Sequence, residues 1–191
     1  MKKWLITMLV AGCALPVLAE KESVITYEDH WNMYSKFDLQ LADIGGDLAP
    51  IGGIYAGGLL NDRFILGVGF NSLLGKVNTD SAFLKDLEFM DLWYAGLHTG
   101  YIFQPDALIH YSVECLIGGG QLETESVSGL NSSETLFMVQ PTLGARINIT
   151  ETFSIGLNAG YLYVDASDTE ALKSSDLSGA TVGIFLHFTE F

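Results

Sequence analysis

The side chains of this chain most able to do chemistry are embedded in apolar stretches. Lys36, Asp38 and Gln40 alternate with Phe37, Leu39 and Leu41. His98 lies within GLHTGYI, and His110 and Glu114 alternate with Ile109, Tyr111, Val113 and Cys115. Gln140 and Arg146 sit in FMVQPTLGARIN, and Asn158 in TFSIGLNAGYLYVD. A turn centred on Gln104 would set His98 opposite His110 and Tyr94 opposite Glu114. Paired imidazoles titrate near neutral pH or ligate a metal. Two histidines without a placed third ligand fall short of a metal site, so filling and hydrogen bonding is the simpler role. Lys36, Asp38, Glu114 and Arg146 mix both signs, which suits a compensating network in a space where no charge can be left bare. Asp165, Asp168, Glu170 and Asp176 cluster loosely, without the Asp-x-Asp-x-Asp-Gly spacing of a dedicated calcium loop. No catalytic residue, cofactor or metal is expected from these patterns.

The elements that carry these residues read as strands. Period-two alternation recurs along the chain, no long stretch shows a 3.6-residue period, and no apolar run beyond residue 19 is long enough for a membrane helix. Eight strands are predicted, near 34–44, 48–60, 63–74, 88–103, 107–120, 135–148, 151–164 and 177–191. In most of them one face is aliphatic or aromatic and the other polar or glycine. In LAPIGGIYAGGLL, glycine is so frequent that the faces cannot be assigned. Asn61-Asp62, Gln104-Pro105-Asp106 and Ile149-Thr150 carry the residues of tight turns. Segments 75–87, 121–134 and 165–176 are longer, polar and mostly acidic. Short turns alternating with longer loops are the signature of an up-and-down barrel. GLHTGYI and GLNAGYL share Gly-Leu-x-x-Gly-Tyr, a faint echo that ordinary strand chemistry also explains.

The start of the chain reads differently. MKKWLITMLVAGCALPVLAE has two lysines, an apolar core and Val-Leu-Ala before Glu20, the pattern of an export signal cleaved after Ala19. A lipoprotein box ending at Cys13 is the rival, but the apolar residues after Cys13 replace the expected polar tether. The expected division is therefore a signal peptide over 1–19, a short periplasmic segment over 20–33 and a barrel over 34–191. Cys115 is then the one remaining cysteine, so no intrachain disulfide can form. The formal net charge of −14, lowered further by loss of Lys2 and Lys3, argues against nucleic acid. The chain is nonetheless 49% hydrophobic, so charge and apolarity must be segregated in space.

Strand pattern alone does not separate a soluble barrel from a membrane barrel; the direction of the greasy face does. Wetting the polar face would drive Phe, Tyr, Trp, Leu and Ile from nearly every strand into an eight-stranded interior that has little room for them. The polar-face glycines (67, 69, 96, 100, 156 and 160) suit a crowded interior beside longer side chains. Tyr101, Phe103, Tyr161 and Tyr163 lie near strand ends, where interfacial aromatics belong. The sequence thus predicts an all-β, eight-stranded antiparallel up-and-down transmembrane β-barrel. Its lumen-facing polar network comprises Lys36, Asp38, Gln40, His98, His110, Glu114, Gln140, Arg146 and Asn158.

With a signal peptide and a last strand ending on Phe191, the chain resembles the small OmpX-like and opacity-type outer-membrane proteins of bacteria. The resemblance is one of architecture across the mature chain. It implies residence in the cell outer membrane, contact with outer-membrane lipid and lipopolysaccharide, and recognition of the C-terminal strand by the assembly machinery. The chain departs from the usual assembly signal, because His187 and Thr189 hold the positions that share parity with Phe191. A bulge near the end would reconcile the two; otherwise Phe191 points inward or lies past the bilayer edge. The function expected is non-enzymatic: envelope integrity or surface interaction through acidic outer loops. The alternatives are a lipid A-modifying enzyme on the same scaffold, or a soluble exported barrel that binds a small ligand. Ser72 and Ser81 lie near loop 75–87, but the histidines at 98, 110 and 187 fall towards the other end of their strands.

Overall fold

The computed structural model describes residues 30–75, 87–126, 131–165 and 177–190. The alternating segments become eight strands: β1 (Trp31–Ile44), β2 (Asp47–Leu60), β3 (Phe64–Leu73), β4 (Leu87–Phe103), β5 (Ile109–Ser126), β6 (Asn131–Asn148), β7 (Phe153–Asp165) and β8 (Gly179–Glu190). Each pairs antiparallel with the next, and β8 returns to β1, so the sheet is a closed barrel. The closing seam aligns Phe37 with Leu186 and Leu39 with Ile184. Closure gives every strand edge a partner. The expected signal peptide over 1–19, residues 20–29 of the expected periplasmic segment, residues 76–86 and 166–176 of the expected acidic loops, and Phe191 lie outside the described residues.

Turn chemistry fixes the two ends. Asn61 (φ 54°) and Asp62 (φ 57°) both adopt the left-handed conformation, and the Arg63 N–H donates to the Leu60 carbonyl at 3.1 Å. Asn and Asp tolerate that conformation better than other non-glycine residues. Gln104 (φ 51°) accepts from the Ala107 N–H at 2.9 Å, and the Ile149 N–H donates to the Phe153 carbonyl at 2.9 Å. These three turns define one end. At the opposite end Ile44 pairs with Asp47 across Gly45 and Gly46, both at positive φ.

Three expectations need correction. Segment 121–134 is mostly strand: β5 runs to Ser126 and β6 begins at Asn131. Its polar composition suggests a loop, yet Leu122 and Leu136 point inward and keep the alternation of the strands they extend. The β4–β5 register also differs. The turn is wider than one centred on Gln104, so His98 lies opposite Leu116, Gly100 opposite Glu114, and Tyr94 opposite Gly120. The displacement is an even number of residues, and therefore moves partners without exchanging the two faces. β1 starts three residues before the predicted boundary at 34, taking Trp31 into the wall.

The faces segregate as the alternation requires. Outside, Phe37 and Leu39 on β1, Val68 on β3, Leu97 on β4, Leu143 on β6, Leu157 on β7 and Ile184 on β8 are all exposed. Among the residues whose side chains are described, the outward charges on the strands are Asp43, Asp91, Glu123 and Asp165, all at the end opposite the three tight turns. Aromatic contacts mark the borders of the apolar belt. Phe64, Tyr101 and Phe103 meet edge to face at 4.9 Å near the tight turns, and Phe70 stacks on Trp93 at 6.1 Å farther up.

Inside, the barrel has two compartments. Nearest the acidic end, Ile44, Ile51, Leu73, Leu92, Leu122 and Leu162 form an apolar plug. Below it lie the polar side chains described next. The glycines of the inner face give width to aromatics more than to charged groups. A Cβ on Gly69 would meet the Tyr55 ring, and one on Gly156 would meet the Phe185 ring.

Candidate functional site

The mid-barrel layer is built from residues whose inward parity is set by the apolar neighbours on either side. Lys36 comes from β1, and its Nζ donates to Glu114 Oε2 on β5 at 2.6 Å and lies 3.6 Å from Asp38 Oδ2. All three are buried. Two amides donate to the same Asp38 oxygen: Gln40 Nε2 at 2.9 Å and Asn158 Nδ2 at 2.7 Å. Gln140 Nε2 donates to Gln40 Oε1 at 2.6 Å, and Tyr94 OH donates to Gln140 Oε1 at 2.9 Å. Five strands, β1 and β4 to β7, are thereby tied across the lumen.

His98 belongs to the same layer. Its Nε2 is 3.1 Å from Glu114 Oε2 and its Nδ1 is 2.7 Å from Tyr34 OH. Both contacts are satisfied by the tautomer with the proton on Nε2, which donates to the carboxylate while Nδ1 accepts from the phenol. Ser112 Oγ donates to Glu114 Oε1 at 2.7 Å, so each carboxylate oxygen of Glu114 has a donor. The Lys36 ammonium also lies over the rings of Tyr55 and Phe185, 4.9 and 4.7 Å from their centroids. Charges taken out of water are tolerated when they are paired and their remaining valences filled. That is the arrangement around Lys36 and Glu114.

Seven of the nine residues assigned to the lumen from sequence therefore meet in one layer: Lys36, Asp38, Gln40, His98, Glu114, Gln140 and Asn158. The other two do not join it. His110 is not beside His98. The register sets it next to Arg146 on β6, at the tight-turn mouth, with its Nδ1 3.2 Å from the Ala107 carbonyl. Arg146 is buried at that mouth, and its Nε and Nη2 donate no hydrogen bond. A paired-histidine site is thus overturned by register alone. Tyr34, Tyr55 and Asn71 are polar participants beyond those nine, although Asn71 shares the glycine face of its strand; Tyr55 OH donates to Asn71 Oδ1 at 2.9 Å. Tyr34 has the parity of Lys36, which was the available signal. Tyr55 lies in the glycine-rich strand whose faces the sequence leaves unassigned.

The layer leaves almost no free space. The cavity beside Lys36, Glu114 and Gln140 is about 10 Å³, the scale of a single water. Above it the apolar plug fills the bore. The layer can hold charges, order strands and exclude water.

The fold class is that of the small eight-stranded outer-membrane barrels. Neisserial surface protein A superposes with a TM-score of 0.63 at 12% identity, covering 85% of this chain and 99% of that one. The N-terminal β-barrel domain of Pseudomonas aeruginosa OprF gives 0.57 at 13% identity, covering 83% and 96%. Ail, the attachment invasion locus protein of Yersinia pestis, gives 0.51 at 14% identity, covering 84% and 97%. At these identities the likeness is one of fold. No family model matches the chain, and no characterised protein matches it in sequence.

Proposed function

We propose that the chain is a non-enzymatic barrel of the bacterial outer membrane. In this reading residues 1–19 direct export, residues 20–30 lie in the periplasm before β1, and the C-terminal strand with Phe191 is read by the assembly machinery. The observation that carries the proposal is the inversion of the ordinary soluble pattern. Charged and amide side chains fill the inside, aliphatic and aromatic side chains cover the outside, and described outward charges on the strands gather at one end. Water around such an exterior would leave an apolar belt far larger than a monomeric soluble protein exposes. Hydrocarbon around it satisfies both faces, because the closed sheet leaves no backbone edge bare. The 13-residue β7 exceeds the ~9–11 residues that a tilted strand needs to cross.

The acidic end then faces outward, and the role is envelope integrity or surface interaction through segment 75–87, the β5–β6 hairpin and segment 165–176. Contact with lipopolysaccharide and outer-membrane lipid follows from the belt. The filled bore supports a structural role over conduction. The inward direction of His98, His110 and His187, and the place of exposed His30 beside the Asn61 turn, support the non-enzymatic reading over lipid A modification, because an acyl-transferring histidine would have to reach the lipid face at the acidic end. The test has two arms. Asp80→Cys in intact cells should react with a membrane-impermeant maleimide while Asp106→Cys, in a tight turn, should not. Lipid A mass spectra should be the same with and without the protein. Reversed labelling would contradict the orientation, and a changed lipid A mass would contradict the non-enzymatic role.

A further inference from the structure

The tight-turn mouth of the barrel holds a second group of polar side chains that the mid-barrel layer does not use. Arg146, His110, His187, Ser154, Asn148 and Thr189 line a cavity of about 230 Å³ there. Strand register builds it: His110 is beside Arg146 across β5–β6, Asn148 beside Ser154 across β6–β7, and Ser154 beside His187 across β7–β8.

Arg146 is only 3% exposed, and neither its Nε nor its Nη2 has a hydrogen-bond partner. A buried guanidinium with idle donors is costly, and the cost is removed by an acceptor that also carries negative charge. His187 repeats the pattern. Its ring stacks on Tyr34 at 5.5 Å and 11°, and its Nδ1 is 3.4 Å from Thr189 Oγ1, while its Nε2 is buried without a partner. A stacked ring, idle guanidinium donors and an unpartnered imidazole nitrogen around a space of several waters describe a preformed polar receptor.

The sign of the ligand follows from what lines the cavity. The buried polar lining is a guanidinium, two imidazoles and the Ser154 hydroxyl, set against Leu59 and Ile102, with the half-buried Asn148 amide and Thr189 hydroxyl beside them; the only fixed charge in it is that of Arg146. The carboxylates, Asp62, Asp106 and Glu151, belong to the turns at the rim, and Asp62 already accepts from Asn32 Nδ2 at 2.8 Å. Among the described residues no three His, Cys, Asp or Glu side chains converge as a metal would need. Rim carboxylates in water are screened over about 8 Å at physiological ionic strength. The buried guanidinium is not screened in this way.

We propose that this mouth is a binding site for a small free oxyanion of the phosphate class, held by Arg146 and His187 with help from His110 and Ser154. The proposal depends on the barrel and its register and is independent of the role assigned to the acidic end. Its test is titration of inorganic phosphate into the folded full chain in a phosphate-free maltoside detergent. Calorimetry and the imidazole ¹⁵N signals would be followed together. Saturable binding that shifts His187, with sulfate competing, is the expected result. Arg146→Met should weaken binding roughly tenfold or more, the size expected for a charge-assisted hydrogen bond. Should that variant fail to fold, the wild-type imidazole signals decide. Absence of saturable binding, a His187 signal unmoved at high phosphate, or unchanged affinity in a folded Arg146→Met would each overturn the proposal.

Discussion

At the scale of single residues, Lys36 is the hinge of the interior. It bridges Asp38 and Glu114, and both carboxylates rely on it for a cationic partner in a space with no room for bulk water. Lys36→Met should therefore cost about 3–5 kcal/mol, because the loss strands two buried anions. Urea unfolding in lipid vesicles would show this as a lower midpoint. Adding Asp38→Asn and Glu114→Gln to Lys36→Met should recover a large part of the loss, since neutral amides leave no unpaired charge. An unrecovered triple variant would mean that the packing of Lys36 over Tyr55 and Phe185, and not its charge, is what matters. The participants on β1 were legible in the sequence because strict alternation with Phe37, Leu39 and Leu41 sets their direction. Their partners were not legible. Which side chain meets which depends on register, and register depends on a turn whose Ala107 and Leu108 look like strand.

Elements show the same division between what alternation carries and what it does not. Parity of β1 and β3 to β8 was readable because one face is apolar. β2 was not, because Gly52, Gly53, Gly57 and Gly58 occupy both faces of the strand. The apolar plug was hidden for a related reason. Leu122, Leu136, Met138 and Leu162 share parity with Gln140 and Asn158, so a face judged polar by its mid-strand residues turns apolar towards one end. Glycine on the inner face is a packing device at these widths. Gly156 lies against the Phe185 ring and the Ala145 carbonyl. Gly156→Val should cost about 1–3 kcal/mol through overpacking, read as faster unfolding or a lower urea midpoint. A tolerated valine would show that Phe185 moves freely and that the layer is looser than its hydrogen bonds imply.

For the whole molecule, the proposed membrane setting requires that the apolar belt face hydrocarbon. Leu157 is 64% exposed on the outer face of β7. If it lies near the bilayer midplane, Leu157→Arg should cost about 2–4 kcal/mol. On a water-soluble barrel the same exposed position should tolerate arginine within about 0.5 kcal/mol. The two environments thus predict different results from one substitution. The most direct test is simpler and needs no variant. Protein extracted from the outer-membrane fraction would be run in SDS, unboiled and boiled. The closed barrel should survive cold SDS, migrate differently before heating, and be recovered with the outer membrane. Recovery in the soluble periplasm, with identical mobility before and after boiling, would contradict the membrane setting.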